Sequence, residues 1–436
     1  MKMRCQNAKL FLRRPLGLGG GDMRSNLVFL VLLLSAVLIH PVGGFAENRT
    51  AEVEIKDIHW EMGPPMPWPT KGQAQAVIGE TIVAAGSPGY PGWVPSSKYS
   101  TGKGWQLRER GQHKHGWELD TRNMKYSLLP DMPVGIKWPQ GVAIGRDLYV
   151  FTGWIVWPED QRVNTSDRMF RLSKQSGEWK WKEMPSLRIG RFLPGGAASG
   201  TTIVVLGGQA TFGANTFSGD HPGAYVNSVE AFNTAVPEKG WRDLPPIPGL
   251  ARESPTTTAI GKNIYVFGGD HVNYAEARDG KLDGLIRHCA DGYVLNLETL
   301  RWKRLPDLPF PAHGMEAVSY KDRYIIMAGG IKNYRVDHPY EHAGRIPKMP
   351  SPNFDVVVFD TQEESYRILP TQIPPYPIHP ERREQVLNSK GFDLSKGVYR
   401  LAAELSRVDN RLFLCGGEVV SPHNVTDEVV VGTIID

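Results

Sequence analysis

The chain has 436 residues and carries 50 Lys and Arg residues against 46 Asp and Glu residues, a formal net charge of +4. The first 46 residues hold six of the basic residues and one acid, which leaves 44 basic and 45 acidic residues in the remainder. This balance argues against a bulk surface for nucleic acid, which needs a clear excess of positive charge.

Met1–Ala46 has the pattern of a secretory signal peptide. Its basic residues precede the thirteen-residue apolar run Leu27–Ile39, and Gly44 and Ala46 supply small residues near a cleavage position. A run of this length is too short to span a bilayer comfortably, and Pro41 interrupts its continuation, so a membrane anchor is the less favoured interpretation. We therefore expect the mature chain to be exported, to the periplasm or out of the cell, without a membrane span.

Two short sequence patterns recur through the mature chain, residues 47–436, with no linker between copies. The first is an aromatic residue followed four residues later by proline, and it begins at Trp60, Tyr126, Trp181, Trp241, Trp302 and Tyr366. The second is a β-rich run that ends in a glycine-rich pair, at Ala85-Gly86, Thr152-Gly153, Gly207-Gly208, Gly268-Gly269, Gly329-Gly330 and Gly416-Gly417. Such repeats predict four-stranded antiparallel sheets that stack on one another, because one sheet cannot bury both of its faces alone.

The combined pattern resembles the kelch repeat, from about Ile55 to Asp436. This resemblance implies an all-β, six-bladed β-propeller, folded as a single domain around a central channel. The chain opens with a fourth strand at Trp60 and ends after a third strand, Asp427–Ile435. We therefore expect the N-terminal strand to complete the last blade and to cover an edge that would otherwise be exposed.

Long loops follow the glycine-rich pairs, and antiparallel pairing predicts that they emerge together on one face of the propeller. Most histidines of the mature chain fall on these loops, and His113 and His115 stand two residues apart. A metal site is one interpretation, but no ligand spacing of known specificity is present, and histidines that simply avoid strands are the alternative. We predict neither a metal nor a cofactor. The loop tryptophans, Trp154 among them, either pack on the propeller or stack on sugar rings.

Two cysteines remain in the mature chain, Cys289 and Cys415. They fall in the predicted fourth and sixth blades, which are not adjacent, so a disulfide between them is not expected. Both are predicted to be buried thiols.

Basic residues recur at one position of the repeat. Arg191, Arg252, His313 and Arg400 stand sixteen residues before the glycine-rich pair, and Lys137 is offset from this position by one residue. A ring of basic side chains at the channel mouth would attract an anion, and guanidinium groups bind carboxylates through two parallel hydrogen bonds. The alternative is that the arginines pair with neighbouring glutamates, such as Glu253, Glu316 or Glu404, in structural bridges between blades.

The six repeats, the export signal, the segment Gly86-Ser87-Pro88-Gly89 and the segment Gly416-Gly417-Glu418 resemble the N-acetylneuraminate epimerase family of sialic acid mutarotases. This resemblance implies an isomerase that interconverts the anomers of a carboxylated sugar in the periplasm. It also implies a glutamate directly after the glycine strand of the fourth blade and an arginine six residues later. In this chain Asp270 takes the first position and Glu276 the second, with Arg278 two residues further on.

Two functions fit these observations. Mutarotation needs a general base at the anomeric hydroxyl and a general acid at the ring oxygen, and a carboxylate or an imidazole can do either. Our candidates for proton transfer are Asp270, His271 and Glu418, and His313 could also serve. Our candidates for binding an acidic sugar or glycan are Arg191, Arg252, His313, Arg400, Lys137 and Trp154. The second hypothesis is a non-catalytic propeller whose loop face binds a carbohydrate or a protein partner.

Overall fold

The computed structural model describes residues 54–87, 114–156, 163–210, 224–272, 286–332, 351–374, 402–417 and 426–436. Within these ranges the protein is almost entirely β-structure, with the short 3-10 helix Pro237–Lys239 and no α-helix. None of the helical structure in these ranges has the length and apolar character that a membrane-spanning segment requires. Val53–Asp436 forms one compact unit.

Six antiparallel sheets of four strands make up the described structure, and we number them as blades 1 to 6. Blade 1 consists of Ala74–Ile78, Thr81–Ala85, Gly116–Asp120 and Lys125–Leu128, and blade 2 of Gln140–Ile144, Asp147–Phe151, Met169–Gln175 and Glu178–Met184. Blade 3 consists of Gly195–Ser199, Thr202–Leu206, Val229–Asn233 and Trp241–Leu244, and blade 4 of Thr256–Ile260, Asn263–Phe267, Gly292–Asn296 and Arg301–Leu305. Blade 5 consists of Glu316–Tyr320, Tyr324–Ala328, Val357–Asp360 and Ser365–Ile368, and blade 6 of Glu404–Val408, Arg411–Cys415, Val429–Ile435 and Asp57–Met62.

The blades stand in a ring. The first strand of each blade contacts the first strands of the blades before and after it, and the first strand of blade 6 contacts that of blade 1. The six first strands therefore surround a central channel, and the predicted six-bladed all-β propeller is confirmed.

Blade 6 combines strands from opposite ends of the chain. Asp57–Met62 pairs antiparallel with Val429–Ile435, from Asp57 opposite Ile435 to Met62 opposite Val430. Ile58 on the N-terminal strand is buried at 1% exposure. Its side chain belongs to the apolar cluster between blades 5 and 6.

The apolar core is divided into clusters that each lie between two neighbouring blades. One cluster joins blades 1 and 2, and the next joins blades 2 and 3, and this continues around the ring to the cluster between blades 6 and 1. Cys415 is buried in the last of these, and Cys289 is also buried. The stability of the ring therefore resides in contacts between blades, as it must when a single sheet cannot bury both faces.

A pair of residues with positive φ follows the second strand of every blade. These pairs are Gly86-Ser87, Thr152-Gly153, Gly207-Gly208, Gly268-Gly269, Gly329-Gly330 and Gly416-Gly417. In blade 1 the pair is Gly86-Ser87 and not the predicted Ala85-Gly86, because Ala85 is still the last residue of the second strand. At Gly269, a side chain would place Cβ 2.7 Å from the carbonyl oxygen of Glu253, which explains why glycine stands there.

Two kinds of hydrogen bond join the blades in series. In the first kind, a backbone N–H just after the second strand donates to a carbonyl in the segment that leads into the next blade. These bonds run from Ser87 to Ile136, Gly153 to Arg191, Gly208 to Arg252, Gly269 to Ala312 and Gly417 to Thr70. At the outer strands, the repeated aromatic side chain donates to the repeated proline carbonyl of the preceding blade, as Trp302 Nε1 does to Pro245 at 2.9 Å. The same bond joins Tyr126 to Pro64, Trp181 to Pro130, Trp241 to Pro185 and Tyr366 to Pro306.

Short strands extend several blades above the glycine-rich pairs. They are Ile136–Lys137, Trp154–Val156 and Val163–Thr165 in blade 2, and Gln209–Ala210 with Ala224–Tyr225 in blade 3. In blades 4 and 5 they are Asp270–Val272 with Ile286–His288, and Ala312–His313, Ile331–Lys332 and Ser351–Pro352. These extensions carry the candidate functional residues.

Candidate functional site

The hydrogen bonds between blades define which residues are structurally equivalent in the segments leading into each blade. Their carbonyl acceptors are Thr70, Ile136, Arg191, Arg252 and Ala312. Ala312 is therefore the equivalent of Arg252, and His313 is the equivalent of Glu253. The predicted alignment of His313 with the arginines is wrong by one residue. The cause is the turn Lys321–Arg323 of blade 5, which has one residue more than the corresponding turn Gly261–Lys262 of blade 4.

Arg191 and Arg252 lie beneath this layer with fully buried side chains. Arg252 donates to both carboxylate oxygens of Asp291, at 2.7 and 2.8 Å, and to the carbonyl of Gly268 at 3.0 Å. Arg191 makes the equivalent bonds, to Glu230 and to the carbonyl of Gly207. These contacts favour the structural alternative for the two arginines, with Asp291 and Glu230 as the partners in place of the glutamates suggested from the sequence.

The residues one position further along the chain form what we call the mouth ring, which consists of Lys71, Lys137, Phe192, Glu253 and His313. Lys137 is paired with Trp154, Phe192 with Gln209, Glu253 with Asp270 and His313 with Ile331. The mouth ring and its partners therefore bring together side chains from five consecutive blades. The equivalent positions of blade 6, near Arg400 and Glu418, lie outside the described residues.

An acid–imidazole pair lies between blades 4 and 5. The Nδ1 atom of His313 donates to Asp270 Oδ1 at 2.8 Å, and Asp270 is 5% exposed. This bond places the proton on Nδ1 and leaves Nε2 as the basic nitrogen of the ring. His288 stacks on His313 with ring centroids 5.3 Å apart. Burial and the neighbouring His313 lower the pKa of His288 to about 3, so that His288 is neutral at physiological pH.

Glu253 is a buried carboxyl group beside this pair. It accepts a hydrogen bond from Gln209 Nε2. Burial first, and then the negative charge of Asp270, raise the pKa of Glu253 well above its usual value. Glu253 therefore holds its proton at a pH where an exposed glutamate is ionised.

An aromatic and basic group is formed by residues of blades 2 and 3 together with Lys71 at the entry to blade 1. Trp154 stacks on Phe192 at a centroid distance of 3.9 Å, and Trp138 meets Trp154 edge-on at 5.4 Å. The Nζ atoms of Lys137 and Lys71 lie 4.2 and 5.3 Å from the centre of the Trp138 ring. Two ammonium groups thus lie around one indole ring, an arrangement that attracts an anion.

His313, Trp138 and Phe192 line a single pocket of about 130 Å³. Gln140, Thr257, Glu316 and Glu404 line this pocket as well as a larger cavity of about 330 Å³ inside the channel. These four residues therefore mark the place where the pocket opens into the channel. Burial raises the pKa of Glu316 to about 8, and burial together with the charge of Glu316 raises the pKa of Glu404.

The remaining predicted site residues lie apart from this pocket or cannot be placed. His271 follows Asp270 on the same short strand, but its Nδ1 atom donates to the carbonyl of Ala251 at 2.6 Å and its ring packs against Tyr225. Glu418 and Arg400 fall outside the described ranges, as do His113, Glu276 and Arg278. Within the described ranges, no three His, Cys, Asp or Glu residues are grouped closely enough to hold a metal ion.

Several residues in or beside the pocket were not predicted as site residues from the sequence. Glu253 and Glu316 were considered only as partners for arginines, and Trp138 and His288 were not distinguished from other loop residues. Glu253 follows Arg252 directly, as Phe192 follows Arg191. Aligning the repeats on the carbonyls that accept the hydrogen bonds between blades, in place of the glycine-rich pairs, identifies the mouth ring.

Comparisons with known proteins agree with the fold. The chain is 24% identical over 321 residues to N-acetylneuraminate epimerase of Haemophilus influenzae, a match that covers 64% of this chain and 75% of that protein. It is 28% identical over 110 residues to the protein of the same name from Yersinia enterocolitica, covering 25% of this chain and 26% of that protein. It is 23% identical over 223 residues to Kelch-like protein terF of Aspergillus terreus, covering 48% of this chain and 44% of that protein. No protein-family model matches the chain. The protein is therefore a kelch propeller that resembles sialic acid mutarotases at a distance.

Proposed function

We propose that the pocket at the channel mouth binds an acidic sugar and interconverts its anomers. The observation that carries this proposal is the hydrogen-bonded pair of Asp270 and His313, whose imidazole lines a pocket shared with Trp138. Asp270 orients the imidazole and leaves Nε2 to remove the proton of the anomeric hydroxyl, which is the base function that mutarotation requires. The distant similarity to N-acetylneuraminate epimerases supports the same reaction class.

The other side of the pocket supplies recognition. The ring of Trp138 offers an apolar face on which a sugar can stack, and Trp154 and Phe192 support it from behind. Lys71 and Lys137 place positive charge at the same indole ring and so favour a ligand that carries a carboxylate. In this proposal the lysines take the role that the sequence assigned to Arg191 and Arg252, which are engaged with Glu230 and Asp291.

The test follows anomeric exchange of N-acetylneuraminate by NMR with and without the mature protein. We expect the wild-type protein to accelerate exchange, and His313→Ala to lower the protein-dependent rate by about 10²-fold or more, the usual contribution of a general base. His115→Ala is the matched control, because His115 forms a similar 2.8 Å bond to Asp131 but is exposed. A wild-type protein that leaves the exchange rate unchanged would contradict the enzymatic proposal.

A non-catalytic binding propeller is the second candidate, and the aromatic group of Trp138, Trp154 and Phe192 favours it. Such a group binds sugar rings whether or not a reaction follows. A thermal-shift screen of acidic sugars separates the two functions. A sugar that raises the melting temperature of the wild-type protein but not that of Trp138→Ala, with no faster anomeric exchange, would establish binding without catalysis.

We also propose that the protein is exported after cleavage near Ala46. The basic residues, the apolar run Leu27–Ile39 and the small residues that follow it support this proposal. Mass spectrometry of the mature protein should find a chain that begins near residue 47. A product that retains Met1 and sediments with membranes would show that the segment is an anchor.

A further inference from the structure

The pocket contains a second pair of titratable groups on the channel side of His313. Glu316 begins the first strand of blade 5 and Glu404 begins the first strand of blade 6. Both side chains line the pocket, and both also line the channel cavity below it. His313 and Glu316 are three residues apart on the segment that enters blade 5, and both reach the same 130 Å³ pocket.

We propose that Glu316 is the general acid of the anomeric exchange, the group that protonates the ring oxygen. This inference rests on the proposed mutarotase function. It assigns the second of the two proton transfers that the reaction requires, the protonation of the ring oxygen. The candidates predicted from the sequence for proton transfer included Asp270, His271 and Glu418. The substrate class is a reducing sugar acid in its ring form.

The protonation states support this division of roles. Burial raises the pKa of Glu316 to about 8, so the side chain carries a proton at neutral pH and can donate it. Glu404 beside it also keeps its proton, because burial and the charge of an ionised Glu316 both raise the pKa of Glu404. The charged or titratable residues lining the two cavities within the described structure are His313, Glu316, Glu404 and Arg407. Arg407 donates to the carbonyls of Ser319 and Asp409, and no bond of its guanidinium group to Glu316 is found within the described residues.

The proton transfers balance over the reaction. His313 Nε2 takes the proton of the anomeric hydroxyl, whose O–H electron pair becomes the second bond of the new carbonyl group. The bond between the anomeric carbon and the ring oxygen breaks, and the ring oxygen keeps that electron pair and receives the proton of Glu316. Rotation of the open-chain carbonyl followed by the reverse transfers forms the other anomer. In those reverse transfers His313 gives its proton to the carbonyl oxygen, which becomes the new anomeric hydroxyl, and the ring-oxygen proton returns to Glu316, so no further reactant is consumed.

The experiment compares Glu316→Gln and Glu404→Gln with the wild-type protein in the NMR exchange assay from pH 5 to pH 9. Glutamine preserves the size of each side chain and removes its titration. We expect Glu316→Gln to lower the protein-dependent rate by about 10²-fold or more and to abolish the loss of rate at alkaline pH. We expect Glu404→Gln to keep the alkaline loss of rate at the same pH, because burial alone raises the pKa of Glu316. Sugar affinity, measured by titration calorimetry, should change by no more than about threefold in either variant, less than 1 kcal/mol.

The outcomes separate this inference from the proposed function. A wild-type protein that accelerates exchange together with a Glu316→Gln variant of normal rate would overturn the role of Glu316 and leave the mutarotase proposal standing. A Glu404→Gln variant that abolishes the alkaline loss of rate would overturn the assignment of that loss to Glu316. A wild-type protein without any effect on exchange would overturn the proposed function and this inference together. Cooperative unfolding of each variant, recorded by circular dichroism, shows that a lost rate is not a lost fold.

Discussion

Arg191 and Arg252 show how one residue type at a repeated position serves the fold. Each guanidinium group is buried and pairs with an acid at or near the start of the third strand. Each also donates to the carbonyl of the first glycine in the glycine-rich pair of its blade. A charge this far from water is stable only when its hydrogen bonds are complete. The arginines therefore stabilise the backbone directly beneath the mouth ring.

Removing Arg252 leaves the largely buried carboxylate of Asp291, whose side chain is 22% exposed, without its counter-charge. We expect Arg252→Ala to lower the free energy of unfolding by about 3–5 kcal/mol. Arg188→Ala is the control, because Arg188 pairs with Asp243 at the surface, where both side chains are more than half exposed, and such pairs contribute about 1 kcal/mol or less. Urea denaturation measures both values. Equal effects of the two substitutions would contradict a structural role for Arg252.

Glu316 couples the stability of the fold to pH. Burial raises its pKa from 4.5 to about 8, so the folded protein holds this proton more tightly than the unfolded chain does. Its contribution to stability is therefore complete below about pH 4.5 and is lost as the pH rises to about 8. We expect Glu316→Gln to lose less unfolding free energy than the wild-type protein between pH 5 and pH 8.

Urea titrations at pH 5, 6.5 and 8 measure this difference. The exposed Glu298→Gln should show the same pH dependence as the wild-type protein. If Glu316→Gln also shows an unchanged slope, then Glu316 is not a protonated group in the folded protein.

The outer strands are joined by a hydrogen bond that repeats from blade to blade. The indole or phenol group that marks each sequence repeat donates to the proline carbonyl of the preceding blade, which explains why the aromatic residue and the proline recur together. Trp60 in blade 6 is the exception, because its buried Nε1 has no hydrogen-bond partner among the described residues.

This exception provides a matched pair of substitutions. Trp302→Phe removes the bond to Pro245 and should lower the free energy of unfolding by about 0.5–1.5 kcal/mol more than Trp60→Phe does. Both substitutions remove a similar volume, so the difference isolates the hydrogen bond. Thermal denaturation of the two variants measures it, and a larger loss in Trp60→Phe would show that packing dominates at both positions.

The glycine-rich pairs combine positive φ with close approach of the neighbouring backbone. Gly208 has φ of 93°, and a Cβ there would lie 2.8 Å from the carbonyl oxygen of Phe192. Gly200 in the same blade also has positive φ, at 57°, but has open space around it. We expect Gly200→Ala to cost about 1–2 kcal/mol. Gly208→Ala should cost about 4 kcal/mol or more, which is exceptional for a single substitution, and urea denaturation at constant pH compares them.

The strand pattern could be predicted because it depends on local and repeated features. Glycine-rich pairs, aromatic residues and prolines recur at nearly constant spacing, and each occupies the same place in every blade. The alignment of the mouth-ring residues between blades could not be predicted so well. The turn Lys321–Arg323 has one additional residue, so His313 is not the structural equivalent of Arg252. No local sequence pattern indicates which of two adjacent residues forms a hydrogen bond between blades.

The candidate site depends on the whole ring. Trp138 comes from the entry to blade 2, Asp270 from blade 4, His313 and Glu316 from blade 5 and Glu404 from blade 6. Trp138 and Glu404 are 266 residues apart (404 − 138), and only closure of the propeller brings the residues that line the pocket together, with Asp270 bonded to His313. Sequence patterns place each residue on its blade, but the contacts between blades decide which side chains meet.

The joining of the chain ends in blade 6 should therefore control the stability of the whole propeller. A chain that begins at residue 63 lacks Asp57–Met62, exposes the backbone edge of Val429–Ile435 and removes Ile58 from the cluster between blades 5 and 6. We expect this chain to melt at a lower temperature and to self-associate, because an unpaired edge strand recruits other chains. A chain that begins at residue 47 keeps the strand and should remain monodisperse with one cooperative transition. Calorimetry and size-exclusion chromatography test both chains, and equal melting temperatures would mean that the N-terminal strand adds no stability to the ring.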